Sequence, residues 1–125
     1  MISPTRANVG AYLEQLASTG MVVAYSDVSD HFRLPKNMPW LQNPLYKVFG
    51  QLINEDINAH RPLRVSIVVQ KKKDKKTIPS NSYFATIARI RNMQIPSTQA
   101  EKKIIHDTEL KATMQFYGFH GDATR

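Results

Sequence analysis

The sequence predicts a single α+β domain, and three observations lead to that class. A chain of 125 residues suits one compact domain. Its composition, 42% hydrophobic and 22% charged, is that of an ordinary globular protein. Segments with helical spacing of apolar residues alternate with two short β-rich stretches, residues 21–25 and 65–69.

The first half of the chain predicts a helix, a short strand and a second short helix. Ser3 as N-cap and Pro4 at the first position open the first helix, and Thr19-Gly20 ends it. Residues 21–25 are rich in β-formers and predict the strand. The next helix has Ser26 or Asp27 as its cap. Leu34-Pro35 stops this helix, and a turn around Lys36 and Asn37 follows.

The third predicted helix is the longest of this half and is strongly two-sided. Asn43 caps it, Pro44 takes its first position, and it runs to about Ala59. At 100° per residue, one arc is apolar. It contains Leu45, Val48, Phe49, Leu52, Ile53 and Ile57. The opposite arc is polar and contains Lys47, Gln51, Asn54 and Asn58.

The second half predicts a strand, a basic hairpin and two helices. The β-branched run 65–69 is a strand. A lysine-rich loop, residues 71–76, follows it, and a short strand around 77–78 closes the hairpin. A helix follows Pro79, with Ser80 or Asn81 as its cap, and a capping box from Thr98 to Glu101 opens the last helix. We therefore divide the chain into a domain at 1–96, a packing or dimerisation helix at 97–118 and a flexible tail at 119–125.

Positive charge is concentrated in one segment. The net charge is +7, and residues 61–91 hold nine Lys or Arg and one acid. The rest of the chain, with eight bases and nine acids, is nearly neutral. A basic segment of this kind indicates a surface for an anionic partner. The alternative is a solvated lysine loop that serves solubility only.

A winged helix-turn-helix has its elements in the same order as this chain: helix, strand, helix, helix, strand and basic hairpin. In that module the third helix reads the major groove of double-stranded DNA and the hairpin wing contacts phosphates. Asn and Gln suit adenine, and Lys reaches guanine or phosphate. The predicted base contacts are Lys47, Gln51, Asn54 and Asn58. The predicted phosphate contacts are Lys36, Arg64, Lys71, Lys72, Lys73, Lys75 and Lys76.

Residues 40–91 resemble a module of uncharacterised bacterial and phage proteins. The resemblance rests on Arg61-Pro62-Leu63, Ser66 and Val68-Val69 after the third helix. It continues in Pro79, Tyr83-Phe84 and Ala88 of the following helix. It covers less than half of the chain, beginning at Trp40. The resemblance implies a winged-helix-like fold in a mobile-element or defence-linked protein, and it supplies no catalytic residues.

The sequence points away from catalysis. It has no cysteine, which excludes disulfides and thiolate sites. Its four histidines lack metal-ligand spacing, and no phosphate-binding glycine loop is present. We therefore expect no catalytic residue, metal, cofactor or small-molecule ligand. A remote alternative is a nuclease, because Gln70-Lys71-Lys72 imitates a restriction-nuclease signature whose nearest acids are Glu55 and Asp56.

The last helix is apolar on two sides, which leaves a protein-interaction role open. Leu110, Met114 and Tyr117 form one side, and we expect this seam to hold a homodimer. The other side comprises Ile104, Ile105, Thr108, Ala112 and Phe116. An inhibitor or adaptor built on the same scaffold is therefore the alternative to DNA binding.

No apolar run is long enough to cross a membrane, and the N-terminus lacks signal-peptide order. We expect a cytoplasmic protein, associated with the nucleoid when it is bound to DNA. The sequence leaves open the target site, activation or repression, and whether the anionic partner is DNA, RNA or an acidic protein.

Overall fold

The computed structural model describes residues 3–36, 38–39 and 42–121, and within these ranges the chain is α+β as predicted. Five α-helices are present: α1 (Arg6–Ser18), α2 (Tyr25–His31), α3 (Pro44–Asn58), α4 (Asn81–Arg91) and α5 (Gln99–Phe116). The strands are β1 (Val23–Ala24), β2 (Val68–Val69), β3 (Lys71–Lys72) and β4 (Lys75–Lys76). No helix in the described ranges has both the length and the apolarity needed to span a bilayer.

Two helix starts agree with the sequence. The Asn43 side chain accepts a hydrogen bond from the backbone N–H of Leu45 at 2.9 Å, and Pro44 is the first residue of α3. At the start of α5, Thr98 Oγ1 accepts from the backbone N–H of Glu101 at 3.1 Å. Both side chains satisfy N–H groups that have no partner inside the helix.

Two other helix caps differ from the prediction. The cap of α1 is Thr5, whose hydroxyl accepts from the N–H of Asn8 at 3.1 Å, so Ser3 and Pro4 precede the helix. The α2 helix begins at Tyr25 after Ala24, without a side-chain cap. Ser26 and Asp27, the predicted caps, lie in its first turn, because the helix follows directly from β1.

The predicted strand at 65–69 is mostly a 3₁₀ turn. Residues Arg64–Ile67 form the turn, and only Val68 and Val69 are extended, in parallel with Val23 and Ala24 of β1. This segment contacts α1, α3 and α5 and is buried along its whole length. A β-branched run that is buried on all sides does not reveal its backbone conformation by alternation, which explains the difference.

A basic hairpin is present, but its strands are formed by lysines that the sequence placed in the loop. Lys71 pairs with Lys76 and Lys72 with Lys75, in antiparallel register. The turn residues Lys73 and Asp74 have φ of 49° and 64°, the left-handed pair that a two-residue hairpin turn requires. Backbone bonds from Gln70 to residues 77 and 78, each 2.9 Å, extend the ladder where the closing strand was predicted.

The α5 helix is part of the core, which corrects the predicted dimer seam. Leu110 and Met114 are only 1% and 2% exposed and pack in the central cluster, and Tyr117 packs against it. Phe119, predicted to lie in a flexible tail, also packs against this core. The two-sided pattern of α5 arose because one apolar side faces its own domain. Residues 1–2, 37, 40–41 and 122–125 lie outside the described ranges, so the turn at Asn37, the start of the resemblance at Trp40 and the tail beyond residue 121 stay predictions.

Candidate nucleic-acid interface

The polar row of α3 faces solvent as its spacing predicts. Lys47, Gln51, Asn54 and Asn58 are all exposed. On the opposite side, Leu45 and Leu52 are fully buried. The helix phase inferred from the sequence is therefore confirmed, and the four candidate base contacts share one accessible side.

The α1 helix runs antiparallel to α3 and adds a cation to this surface. Arg6 Nε lies 3.0 Å from Glu55 Oε2 near the end of α3. Gly10, one turn further along α1, lies against Leu52, about one turn before Glu55 in α3. Arg6 borders a shallow open depression with Gln51, Asn54 and Asn58. The sequence analysis did not include Arg6 among the contacts, because its charge carries no signal of which helix it neighbours.

Four lysines of the hairpin are exposed cations. Lys71, Lys72, Lys73 and Lys75 face solvent, and no acidic side chain of the described residues forms an ion pair with them. Lys76 differs from them. It is half-buried, and its Nζ donates to the carbonyl of Val22 at 3.0 Å. Lys76 therefore ties the hairpin to the segment before β1.

The hairpin joins the fold at the end of α3 that carries Lys47. Val22 follows α1, and Tyr25, three residues on, has its ring centroid 5.9 Å from that of Phe49. Tyr25 and Lys47 also line the same groove. Exposed Lys36 borders a depression with Asn43, the cap of α3, and so belongs to this end as well. Lys36 therefore lies near the start of α3, and the base of the hairpin is linked to the same end through Val22 and Tyr25.

Arg64 is not a surface residue, which corrects its assignment as a phosphate contact. It is 4% exposed, and its guanidinium group is held by three carboxylates. It donates to Asp56 at 3.0 Å, to Glu55 at 2.7 Å and to Glu14 at 3.0 Å. Burial alone would lower the pKa of Arg64, but the hydrogen bonds to Asp56 and Glu55 raise it above its usual value. A charge held in this way cannot reach a phosphate.

The same carboxylates bind Arg61. Its Nε donates to Asp56 at 2.8 Å and its Nη2 to Glu55 at 3.1 Å. The pKa of Glu55 is lowered, chiefly by the hydrogen bond from Arg64 and further by the charges of Arg64, Arg6 and Arg61. The two acids that the nuclease alternative needs are thus engaged by guanidinium groups. Within the described ranges, no three His, Asp or Glu side chains come together as metal ligands.

A groove between α3 and α4 escaped the sequence analysis. It has a volume of about 330 Å³ and is lined by aromatic side chains, hydroxyls and Lys47. Its aromatic residues are Tyr25, Tyr46, Phe49 and Tyr83. The signal in the sequence was Tyr46, a tyrosine that falls within the apolar arc of α3, between Ile53 and Ile57.

Comparisons of this chain with protein-family models, with curated proteins and with solved structures found no match. The winged-helix resemblance therefore stays a prediction, and the candidate function depends on the surface itself.

Proposed function

We propose that this protein is a non-enzymatic DNA-binding protein. The observation that carries the proposal is the hairpin, where Lys71, Lys72, Lys73 and Lys75 are exposed within six residues beside a single acid, Asp74. Phosphates recruit such cations because counterions are released from the DNA when the charges meet. Lysine, a flexible point charge, suits this diffuse attraction.

The polar row of α3 supports sequence reading. A helix inserted in the major groove needs an exposed side whose residues match base edges. The side-chain amides of Gln51, Asn54 and Asn58 can each form two hydrogen bonds with the edge of adenine. Lys47 can reach guanine or a phosphate. The order of α1, β1, α2, α3, β2 and the hairpin is that of a winged helix, with the difference that β1 pairs with β2 in parallel. We propose this topology as the frame of the interface.

The biological role follows from the resemblance alone. A protein of this kind from a mobile element is a regulator that acts where DNA is, in the cytoplasm or on the nucleoid. The exposed polar row favours duplex DNA over an acidic protein as the partner, because each amide side chain can donate and accept hydrogen bonds at the edge of a base.

Salt-dependent duplex binding tests the proposal. The variant Lys71→Gln/Lys72→Gln/Lys75→Gln keeps a polar side chain at each position and removes three charges. Affinity for a random duplex is measured by fluorescence anisotropy at several salt concentrations. The slope of log affinity against log salt is expected to fall in magnitude by about 2–3, since each phosphate contact contributes roughly 0.9.

The matched control removes three charges elsewhere. Arg89, Lys103 and Lys111 are exposed on α4 and α5, and replacing them with Gln gives the same net charge. This variant is expected to retain nearly the full slope. Equal slopes for the two variants would show that only net charge matters, and absence of duplex binding by the unmodified protein would remove the proposal.

One observation supports a protein-interaction role as the second candidate. The outer side of α5 exposes Ile104 at 67% and Phe116 at 55%, with Thr108 and Ala112 between them. This is the side that was not chosen for the predicted dimer. Light scattering at high micromolar concentration tests self-association here. A dimer that Ile104→Glu/Phe116→Glu converts to monomer would support it, and a monomeric unmodified protein would count against it.

A further inference from the structure

We propose that the groove between α3 and α4 binds one unpaired nucleobase of a DNA strand, with the adjoining phosphate on Lys47. This inference rests on the proposed function and adds a ligand to it. Duplex DNA alone would engage the polar row and the hairpin. The groove would add a preference for DNA that contains one unpaired base outside the helical stack.

The groove has the size and lining of a site for a planar ring. Its volume of about 330 Å³ lies at the lower end of the range for small-molecule sites, about 300–1,000 Å³. Phe49 and Tyr83 are buried and form fixed walls. Tyr46 is 49% exposed, so part of its surface remains accessible to a ligand. Stacking on aromatic side chains is the usual way in which proteins hold unpaired bases.

Gly50 gives a second, independent indication. It lies in the interior of α3 and lines the groove. A glycine there destabilises the helix relative to alanine. Among the described residues, no atom lies within 4 Å of the position that a Cβ would occupy. Packing therefore does not require the glycine, whereas a ligand that approaches the helix backbone closely would.

Hydroxyl groups line the same groove and suit the edge of a base. Thr86 Oγ1 donates to the carbonyl of Ser82 at 2.8 Å, which leaves the hydroxyl oxygen able to accept. Ser82 Oγ lies 2.9 Å from Ser80 Oγ and keeps further bonding capacity. Base edges present both donors and acceptors, so these hydroxyls can bond them without a fixed sequence preference.

Lys47 connects the groove with the polar row. It is a member of the exposed row and also lines the groove. A strand lying along α3 would therefore pass the mouth of the groove with its phosphates near this cation. This continuity, together with the positive hairpin at the same end, is why we infer a base within a strand rather than a free nucleotide.

The test uses duplexes with and without one bulged 2-aminopurine, whose fluorescence is quenched by stacking. The unmodified full chain is expected to bind the bulged duplex about tenfold more tightly than the paired one, with quenching. Gly50→Leu fills the groove and Tyr46→Ala removes the accessible ring, and either is expected to abolish the preference. Ala11→Leu, which introduces the same leucine side chain at an exposed position of α1, is the control.

The outcomes separate the two proposals. If Gly50→Leu, shown by circular dichroism to be folded, keeps the preference and the quenching, the groove proposal is overturned and duplex binding is untouched. The same holds if the unmodified protein shows no preference, or if free deoxynucleoside monophosphate binds as tightly as the bulged strand. Absence of binding to any DNA overturns both.

Discussion

The buried carboxylate of Asp56 binds both the guanidinium group and the backbone N–H of Arg64. Arg64 Nε donates to the two carboxylate oxygens at 3.0 and 3.2 Å, and the backbone N–H donates to Oδ2 at 2.9 Å. Asp56 is fully buried, and Gly10 of α1 leaves room for the Arg64 side chain, since a Cβ there would lie 2.7 Å from Nη1. The pair therefore joins α3 to the 3₁₀ turn in the middle of the fold.

Removing the charge of Asp56 is expected to be costly. Asp56→Asn leaves Arg64 buried without its main counter-charge, and breaking a buried pair in this way costs about 3–5 kcal/mol. Glu14→Gln is the matched control, because Glu14 binds the same guanidinium but its side chain is 40% exposed. Its loss is expected below about 1 kcal/mol. Urea unfolding measures both, and equal losses would contradict a dominant role for Asp56.

The lowered pKa of Glu55 predicts a contribution to stability that depends on pH. A lowered folded-state pKa means that the unfolded chain binds the proton more readily. The stabilisation is therefore full above the ordinary value of 4.5 and is lost as the pH falls through the folded-state pKa. Unfolding free energy is measured by urea titration at a series of pH values below neutrality. Glu55→Gln is expected to flatten its decline below pH 4.5, and an unchanged decline would refute the assignment.

Thr113 is expected to help hold α5 on the core. Its buried hydroxyl donates to the carbonyl of Leu63 at 3.1 Å and of Glu109 at 2.8 Å. Thr113→Val removes the hydroxyl, and the Leu63 carbonyl then keeps only the hydrogen bond from the Ser66 backbone N–H, so the expected cost is about 0.5–1.5 kcal/mol. Thr108 makes the same local bond to Ile104 but is exposed, so Thr108→Val is expected to be nearly neutral. Thermal unfolding of the two valine variants distinguishes them.

Much of the local structure could be predicted because its signals are local. The cap at Asn43, the capping box at Thr98 and the phase of α3 each depend on residues within a few positions. The basic hairpin also follows from a short segment. The polar row of α3 and the presence of a basic hairpin were therefore predictable, whereas the burial of Arg64, the position of Arg6 and the groove between α3 and α4 were not.

The burial of Arg64 could not be inferred from the local sequence, because one of its partners, Glu14, lies 50 residues away. Charge concentration along the chain cannot separate an exposed arginine from a buried one. A signal was present in Asp56, which at 100° per residue falls inside the apolar arc of α3, between Leu45 and Phe49. A carboxylate on a buried side needs a cation, and Arg61 and Arg64 are the nearest bases that follow it.

The position of Leu110 leads to an expectation opposite to that for a dimer seam. Leu110→Ala is expected to cost about 2–5 kcal/mol, because it opens a cavity in the core. Ile104→Ala, on the exposed side of the same helix, is expected to change stability by less than about 0.5 kcal/mol. Urea unfolding measures both. If both substitutions change stability by a similarly small amount, Leu110 is not a core residue, and the predicted dimer contact through Leu110 becomes the better interpretation.

The last prediction concerns Gln51 and Asn54, the central pair of the polar row. Each is exposed, so replacement by alanine is expected to leave the melting temperature unchanged. If these amides read bases, each substitution reduces the preference for a selected site over random duplex by about 1–3 kcal/mol. Binding to random duplex and its salt slope are expected to hold, because these contacts carry no charge.

The control for this pair is Gln115→Ala, which removes an exposed amide from α5, away from the row. It is expected to leave the preference intact. A site selected from random duplexes with the unmodified protein supplies the probe, and competition titrations give the ratio of affinities. If Gln51→Ala and Asn54→Ala weaken random and selected duplexes alike, the row positions the backbone and does not read sequence. If selection yields no preferred site, the hairpin alone accounts for the binding.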